Sequence, residues 1–144
     1  MHPVDEFCKY FEQFHKSPSE NLRKFYTKDV EFIDPMNHLR GLAEINAYFT
    51  KFNEKVAACT FDIFSVDKCL NKEHDSYYIS WTINLSLRSD PTKLIQSDGV
   101  THLKVNKTGI FYHRDYFDVG QLVYENIPLL KWIIKAIKTR LRDT

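Results

Sequence analysis

The chain has 144 residues, of which 43% are hydrophobic, 15% aromatic and 27% charged, and its formal net charge is +1. This length suits one domain with a buried core, and the near-neutral charge argues against a nucleic-acid binder that needs a strong positive field. No apolar run approaches the length of a membrane span. The three cysteines, Cys8, Cys59 and Cys69, have no metal-ligand spacing. We therefore expect a single domain over residues 1–144 in the reducing cytoplasm, with no disulfide, metal or cofactor.

The first third of the sequence predicts helices around one short strand. Residues 4–15 form an amphipathic pattern with aromatic residues at helical spacing: Phe7, Tyr10, Phe11 and Phe14. A second helix is expected to start at Ser17, which would be its N-cap in a capping box completed by Glu20. The strand DVEFIDP follows, and a third helix is predicted after Gly41.

From residue 59 onward the pattern is that of strands. The segments read CTFDIFSVDKCL, DSYYISWTINLSL, LIQSDGVTHLKV and GIFYHRDYFDVG, and turn-like residues separate them. Long strands joined by short loops favour an antiparallel meander. Helices followed by a meander predict an α+β domain in which a strongly curved antiparallel sheet is closed by the N-terminal helices and encloses a conical cavity.

Residues 127–142 predict an appended amphipathic helix. Its apolar face consists of Leu130, Ile133, Ile134, Ile137 and Leu141, and lysines and arginines lie on the other side. Two interpretations stay open. A solvated helix packed on its own domain is the favoured one, and contact of the basic face with an anionic membrane surface is the alternative.

The motif HRDYFD, residues 113–118, places charged groups in the most aromatic part of the chain. Alternation along a strand directs His113, Asp115 and Phe117 to one face. The other residues face the opposite way, where Arg114 and Asp118 are expected to form an ion pair on the surface or on a dimer face. The first set therefore contains the carboxylate that would point into a cavity.

The order of elements, with FYTKDVEFIDPMNHLRGLAEINAYF near the start and IFYHRDYFD near the end, resembles the SnoaL-like branch of the nuclear transport factor 2-like superfamily. The resemblance extends to about residue 125. It implies a cone-shaped α+β barrel, commonly dimeric through the outer face of its sheet. Members of the superfamily isomerise, cyclise, dehydrate or only bind their ligands, so the fold alone does not assign a reaction.

Two enzyme families of this superfamily suggest site residues. Limonene epoxide hydrolases carry a similar RDYFD motif, which implies a catalytic acid at Asp115. His113 shares the predicted face with Asp115 and is a candidate to orient it or to relay a proton, and the alternative is a structural histidine. The arginine and aspartate that complete the hydrolase site are matched here by Thr82 and Asn84. The epoxide-opening triad is incomplete, and epoxide hydrolysis is not expected.

Ketosteroid isomerases carry an Asp-Pro pair at the position of Asp34, which implies a proton-shuttling role for this residue. The same resemblance implies that Tyr10 is an oxyanion donor and that Thr101 replaces the second, protonated acid of that family. The alternative interpretation of Asp34 is the cap of the following turn. The alternative interpretation of Tyr10 is an ordinary aromatic residue of the core.

The same resemblance assigns the two faces of DSYYISWTINLSL. It directs the polar set with Tyr78, Thr82 and Asn84 into the cone and the apolar set with Ile79 and Trp81 outward, against a dimer partner. The residues expected to line the ligand cavity are Phe14, Phe32, Phe49, Tyr78, Thr82, Asn84, Thr101 and Phe117.

Two carboxyl groups in one apolar cone would allow one to act as an acid and the other as a base. The expected function is binding of a small apolar, carbonyl-bearing molecule, with isomerase, cyclase or dehydratase chemistry that needs no cofactor. The alternative is a non-catalytic ligand-binding or dimeric protein-interaction module of the same fold. A homodimer through the outer sheet face is expected, and nucleic acid is not.

Overall fold

The computed structural model describes residues 1–122 and 128–143, with side chains described for 1–122 and 135–143. The helices are α1 (Pro3–Glu12), α2 (Leu42–Lys55), α3 (Val119–Leu122) and α4 (Pro128–Asp143). Two 3₁₀ turns, Phe14–Lys16 and Ser19–Lys24, lead from α1 to the sheet. The strands are β1 (Tyr26–Ile33), β2 (His38–Arg40), β3 (Val56–Cys69), β4 (Asp75–Leu87), β5 (Asp90–Asn106) and β6 (Gly109–Phe117).

The strands form one curved sheet in the order β2-β1-β6-β5-β4-β3. The pairs from β3 to β6 form the antiparallel meander that the sequence predicts. The β1–β6 pair is parallel, which corrects the expectation of a purely antiparallel sheet. A parallel pair needs a long connection, and here the intervening helix and meander supply it. This pairing puts Phe32 of β1 opposite His113 of β6.

The prediction of a helix capped by Ser17 is wrong in its start and its cap. Ser19–Lys24 is a 3₁₀ helix without a side-chain cap. The Ser17 hydroxyl lies 2.7 Å from the Tyr10 carbonyl oxygen and 2.9 Å from the Gln13 carbonyl oxygen. Ser17 therefore closes the C-terminal end of α1, because the last carbonyls of a helix need partners just as its first amides do.

The two faces of β4 are the reverse of the assignment drawn from the resemblance. Ile79, Trp81 and Ile83 are buried against the helices, whereas Tyr78 is 38% exposed on the outer face. The physical cause is the hydrophobic effect: α1 presents buried aromatic rings to the sheet, so the more apolar side of β4 turns toward them. The sheet and α1 thus bury an aromatic core between them.

The appended C-terminal helix is confirmed as α4. Position 127 lies outside the described residues, as do the side chains of Leu130, Ile133 and Ile134. Within the described part of the chain, no helix is both long and apolar enough to span a membrane.

Candidate functional site

Strand β6 alternates as its sequence predicts. His113 is 1% exposed and Asp115 shares its side of the sheet, where both line a cavity beneath α1. On the other side, the Arg114 guanidinium lies 4.9 Å from the centroid of the Tyr116 ring. The expected Arg114–Asp118 ion pair is not formed. Asp118 accepts a 2.8 Å hydrogen bond from Lys138 instead, and that bond lowers the pKa of Asp118.

A buried hydrogen-bonded chain runs through His113. Its Nε2 lies 2.7 Å from Asp115 Oδ1, and its Nδ1 lies 2.6 Å from the Tyr26 hydroxyl oxygen. Tyr26 is the first residue of β1, and the parallel β1–β6 pairing brings it beside β6 across 87 residues of sequence. The imidazole is therefore held at both nitrogens.

Asp115 Oδ1 has a second donor. The Trp81 indole Nε1 donates to Thr101 Oγ1 at 2.8 Å, and Thr101 Oγ1 lies 2.5 Å from Asp115 Oδ1. An indole nitrogen can only donate, so the single hydroxyl hydrogen of Thr101 is left for Asp115. Asp115 Oδ1 thus accepts from both Thr101 and His113. No hydrogen bond to the other oxygen, Oδ2, is present within the described part of the chain.

The direction of the two hydrogen bonds of His113 follows from the same count of donors and acceptors. If His113 Nε2–H donates to Asp115, then Nδ1 is the acceptor of the Tyr26 hydroxyl. Burial, followed by the negative charge of Asp115, raises the pKa of Tyr26 well above its ordinary value, so this phenol keeps its proton at neutral pH. Tyr26 therefore selects the tautomer of His113 whose hydrogen points at the carboxylate.

The cavity above this chain is apolar and small. Its lining comprises Phe7, Phe11, Phe61, Ile63, Ile79, Trp81, Thr101, His113 and Asp115. Its free volume is about 10 Å³, which corresponds to the space of one water molecule. The side chain of Asp115 is 18% exposed. The cone is thus filled by its own aromatic residues, and Asp115 is the acid among them.

Asp34 is buried at the end of β1, where it caps a turn. Its Oδ1 accepts from the backbone amides of Met36 at 2.8 Å and Asn37 at 2.7 Å, and from the Asn37 side chain at 3.1 Å. Its Oδ2 accepts from the Tyr48 hydroxyl at 3.1 Å. This is the Asx-type arrangement that the sequence left open as an alternative. Burial, followed by the charge of Asp34, raises the pKa of Tyr48.

The structure does not join the two carboxylates by a hydrogen bond. The Phe32 ring packs against a donor to each of them: its centroid is 5.8 Å from that of Tyr48, the donor to Asp34, and 4.6 Å from that of His113, the donor to Asp115. Asp34 accepts directly from Tyr48, whereas Tyr26 is connected to Asp115 through His113.

Tyr10 lies in a different cavity from Asp115. It lines a more open space of about 310 Å³ between α1, α2 and the β4–β5 turn, together with Asn46, Asn53 and Arg88. Burial raises the pKa of Tyr10 to about 12. The Phe11 ring lines the cone and also packs against Tyr10, with 5.3 Å between the ring centroids, so Phe11 separates the two cavities.

The predicted ligand-cavity residues divide into three groups. Thr101 lines the cone, and Phe117 packs near Trp81 with 6.4 Å between ring centroids. Phe14, Phe32 and Phe49 belong to the aromatic core. The outer face holds Tyr78, which stacks on His102 at 4.4 Å, Thr82, which donates to Asp98, and Asn84, which donates to Asp62 at 2.9 Å.

Sequence reasoning missed two residues of the buried chain. Tyr26 sits at the start of a strand, and only the parallel β1–β6 pairing reveals that it reaches His113. The sequence did indicate that Trp81 is buried, since its strand is apolar on the side that Trp81 shares with Ile79 and Ile83. That signal was overruled by the resemblance.

Other chemistries find less support in the described residues. No group of three or more His, Cys, Asp and Glu side chains there is placed to hold a metal ion. The three cysteines are free thiols. Burial raises the pKa of Cys8 to about 11 and that of Cys59 to about 12, so neither is an activated nucleophile.

A protein-family model described as a SnoaL-like domain matches residues 7–113. No curated protein matches the chain.

Several solved structures share the fold. One is a protein with a ketosteroid isomerase-like fold from Catenulispora acidiphila, solved with trimethylamine: it is 11% identical, with 84% of this chain and 88% of that chain covered and a TM-score of 0.70. Another, from Jannaschia sp., is a proposed SnoaL-like polyketide cyclase, 11% identical over 83% of this chain and 90% of that chain, with a TM-score of 0.67. An NTF2-like protein from Anabaena variabilis is 16% identical over 83% and 87%, with a TM-score of 0.61. At these identities the likeness concerns the fold.

Proposed function

The chain belongs to the SnoaL-like domain family, and we propose that its cone binds a small apolar, carbonyl-bearing molecule and acts on it by acid–base chemistry. The reaction would be of the isomerase, cyclase or dehydratase kind. The observation that carries this proposal is the placement of Asp115: it lines an aromatic cavity, its Oδ1 accepts two hydrogen bonds, and its Oδ2 accepts none from the residues that the structure describes.

Asp115 Oδ2 is the atom that would exchange a proton with the carbon next to the carbonyl. The two donors to Oδ1 fix the carboxylate against rotation, so that Oδ2 keeps its direction. His113 can respond to a change in the charge of Asp115, because its Nε2–H···Oδ1 bond is stronger to a carboxylate than to a neutral acid. Tyr26 holds the other side of the imidazole.

Asp34 and Tyr10 have less direct parts in this proposal. Asp34 would act through Tyr48, since its own oxygens are occupied by the turn. Tyr10 would donate to a substrate oxygen only in a ligand-bound arrangement in which Phe11 moves and the two cavities join. Such movement is required in any case, because ligand pockets commonly enclose about 300–1,000 Å³ and the closed cone has about 10 Å³.

The same small volume favours a second candidate function. A cone filled by its own side chains suits a non-catalytic module that binds a ligand weakly or presents its outer sheet to another protein. In this case Asp115 and His113 would be buried polar residues that specify the core.

Proton exchange separates these two functions. Small apolar ketones are incubated with the protein in D₂O, and loss of the α-proton signal is followed by NMR. The catalytic proposal expects exchange above the buffer rate, and Asp115→Asn lowers it by roughly 10²–10⁴-fold. This variant is well matched, because an amide oxygen at Oδ1 retains both donors while Oδ2 is replaced by a group that cannot accept a proton.

Asp118→Asn is the control, since Asp118 lies at the end of the same strand and pairs with Lys138 outside the cone. Binding detected by chemical-shift changes without exchange supports the binding module. Equal exchange by the Asp115→Asn variant would remove Asp115 from the mechanism.

A homodimer through the outer sheet face is part of the proposal. Tyr116 is 48% exposed and Tyr78 is 38% exposed on that face, which gives it aromatic surface to bury. With the faces of β4 reversed, this surface is more polar than the sequence suggested, and Asp62 and Asp98 lie on it. Sedimentation velocity over a range of protein concentrations tests it, and a monomer throughout overturns it.

A further inference from the structure

The C-terminal end of α4 is exposed along its whole circumference. All nine residues from 135 to 143 are exposed, and the apolar Ile137 and Leu141 are 53% and 72% exposed. An apolar stripe that packed on its own domain would be buried at these positions. The exposure therefore disfavours packing of the described part of the stripe, Ile137 and Leu141, against the domain.

The pattern of side chains is that of a helix lying at an interface. Ile137 and Leu141 are four residues apart and share one face of the helix. Counting 100° per residue, Lys138 and Arg140 flank this stripe at about 80° on either side, and Lys135 and Arg142 lie toward the opposite face of the helix. Long basic side chains on both flanks can reach outward while the apolar residues between them are buried in a membrane surface.

Charge is concentrated in this element. The helix from Pro128 to Asp143 contains five basic residues and one acidic residue, a net charge of +4, whereas the whole chain has a net charge of +1. The rest of the molecule is therefore net negative by three charges. A positive helix on a negative domain favours an anionic surface on the side of the helix alone.

We propose that α4 docks the protein, parallel to the membrane plane, on a lipid surface that carries anionic headgroups. Clusters of four to eight basic residues on an amphipathic helix are typical of such binding, and α4 has five. Lys138 already pairs with Asp118 at 2.8 Å and ties the helix to the end of β6. Arg140, which flanks the stripe, therefore supplies the nearest phosphate contact, Lys135 and Arg142 add to the positive field of the helix, and Ile137 and Leu141 supply the apolar contact. This docking does not depend on the reaction proposed for the cone.

The experiment is vesicle flotation of the full chain. One set of vesicles contains phosphatidylcholine alone, and the other contains one part phosphatidylglycerol to two parts phosphatidylcholine. The protein is expected to float with the anionic set at low salt and to dissociate as the salt approaches about 0.5 M, where screening is short-ranged. Flotation with neutral vesicles to the same extent overturns the proposal, and so does failure to float with anionic vesicles at low salt.

Two pairs of variants identify the helix. The double variant Arg140→Gln/Arg142→Gln is expected to weaken the anionic-vesicle affinity roughly 5- to 30-fold, about fivefold for the flanking Arg140 and up to as much again for Arg142. Its control, Lys72→Gln/Lys107→Gln, removes two exposed lysines from turns at the far ends of strands and is expected to change the affinity less than twofold. Equal losses in the two pairs would mean that only the net charge matters, and the assignment to α4 falls.

The apolar contact has its own test. Ile137→Ser/Leu141→Ser is expected to abolish flotation, whereas Leu94→Ser, which removes a 62% exposed leucine from β5, leaves it unchanged. Thermal unfolding of each variant shows whether the domain is intact, since none of these side chains belongs to the buried core. If the serine variant instead converts an oligomer to a monomer and wild-type protein does not float, the stripe is a contact between copies of this chain, and the membrane proposal is overturned.

Discussion

Asp34 and Asp115 are carboxylates whose hydrogen-bond donors both pack against the Phe32 ring, and their hydrogen bonds differ in kind. Asp34 accepts from the backbone of its own turn, from Asn37 and from Tyr48, and both of its oxygens are engaged. Among the described residues, Asp115 accepts from two side chains on neighbouring positions of the sheet, His113 and Thr101, and only through Oδ1.

The difference distinguishes a carboxylate that is engaged at both oxygens from one that is engaged at Oδ1. The oxygens of Asp34 are occupied by its own turn and by Tyr48, which leaves them less available to a substrate. Asp115 is held at Oδ1 and lines a cavity. The comparison therefore supports the structural part proposed for Asp34 and the chemical part proposed for Asp115, and the two sites are expected to respond differently to the same substitution.

Replacing each aspartate by alanine gives the largest expected effect. Asp34→Ala is expected to lower the free energy of unfolding by about 3 kcal/mol, because it leaves two backbone amides of a tight turn and a half-buried tyrosine without their charged acceptor. Asp115→Ala is expected to cost about 1–2 kcal/mol, because a water in the adjoining cavity can replace the lost acceptor. Urea unfolding of the two variants measures both values. A larger loss for Asp115→Ala would reverse the structural assignment.

Replacing the tyrosine in the hydrogen-bond network of each carboxylate is expected to give a smaller difference in the free energy of unfolding. Tyr26→Phe is expected to cost about 2 kcal/mol, because it leaves the buried Nδ1 of His113 without its donor. Tyr48→Phe removes one of several donors to Asp34 and is expected to cost about 0.5–1 kcal/mol. The nitrogen chemical shifts of His113 provide a second readout: wild-type protein should show the Nε2–H tautomer alone, and Tyr26→Phe should show a mixture. An unchanged tautomer in that variant would mean that Asp115 alone sets it.

The parts of this site that the sequence predicts are those with local patterns. Alternation in β6 places His113 and Asp115 on one face, since the period of two needs no knowledge of the partner strand. The Asx turn at Asp34 was one of two interpretations of an Asp-Pro pair, and choosing between them needed the positions of Asn37 and Tyr48. Local sequence thus indicates which residues are candidates for the site, and it leaves open which role each one has.

The parts that the sequence does not predict depend on long-range pairing. Tyr26 meets His113 through a parallel register between β1 and β6, and a sequence contains no signal for the register of distant strands. Ser17 can bind amides at a helix start or carbonyls at a helix end, and the length of α1 decides which.

The faces of β4 show that the composition of a strand can outweigh a distant resemblance. The set with Ile79 and Trp81 is the more apolar one, and it turned toward the aromatic side of α1. The resemblance had assigned the polar set to the cone, although relatives of this fold are only about one-tenth identical in sequence. At that distance the local hydrophobic pattern is the better guide to which side is buried.

Alkaline pH gives the smallest expected difference between the two carboxylate sites. The pKa of Tyr26 is raised by burial and then by Asp115, and that of Tyr48 by burial and then by Asp34. A phenol whose pKa is higher in the folded than in the unfolded protein contributes stability that is complete below about pH 10, the unfolded value, and is lost as the pH rises further. The free energy of unfolding should therefore fall above pH 10, by up to about 1.4 kcal/mol for each unit of pH and each such tyrosine.

Tyr48→Phe and Tyr10→Phe should each flatten this decline by a similar amount, because the pKa of Tyr10 is raised to about 12 by burial alone. Tyr116→Phe is the control, since its ring is 48% exposed on the outer face. Urea unfolding between about pH 9 and pH 11 measures the slopes. A decline that is as steep in the Tyr48→Phe variant as in wild-type protein would show that Tyr48 ionises as readily folded as unfolded, which would contradict the raised pKa that its burial and its hydrogen bond to Asp34 give it.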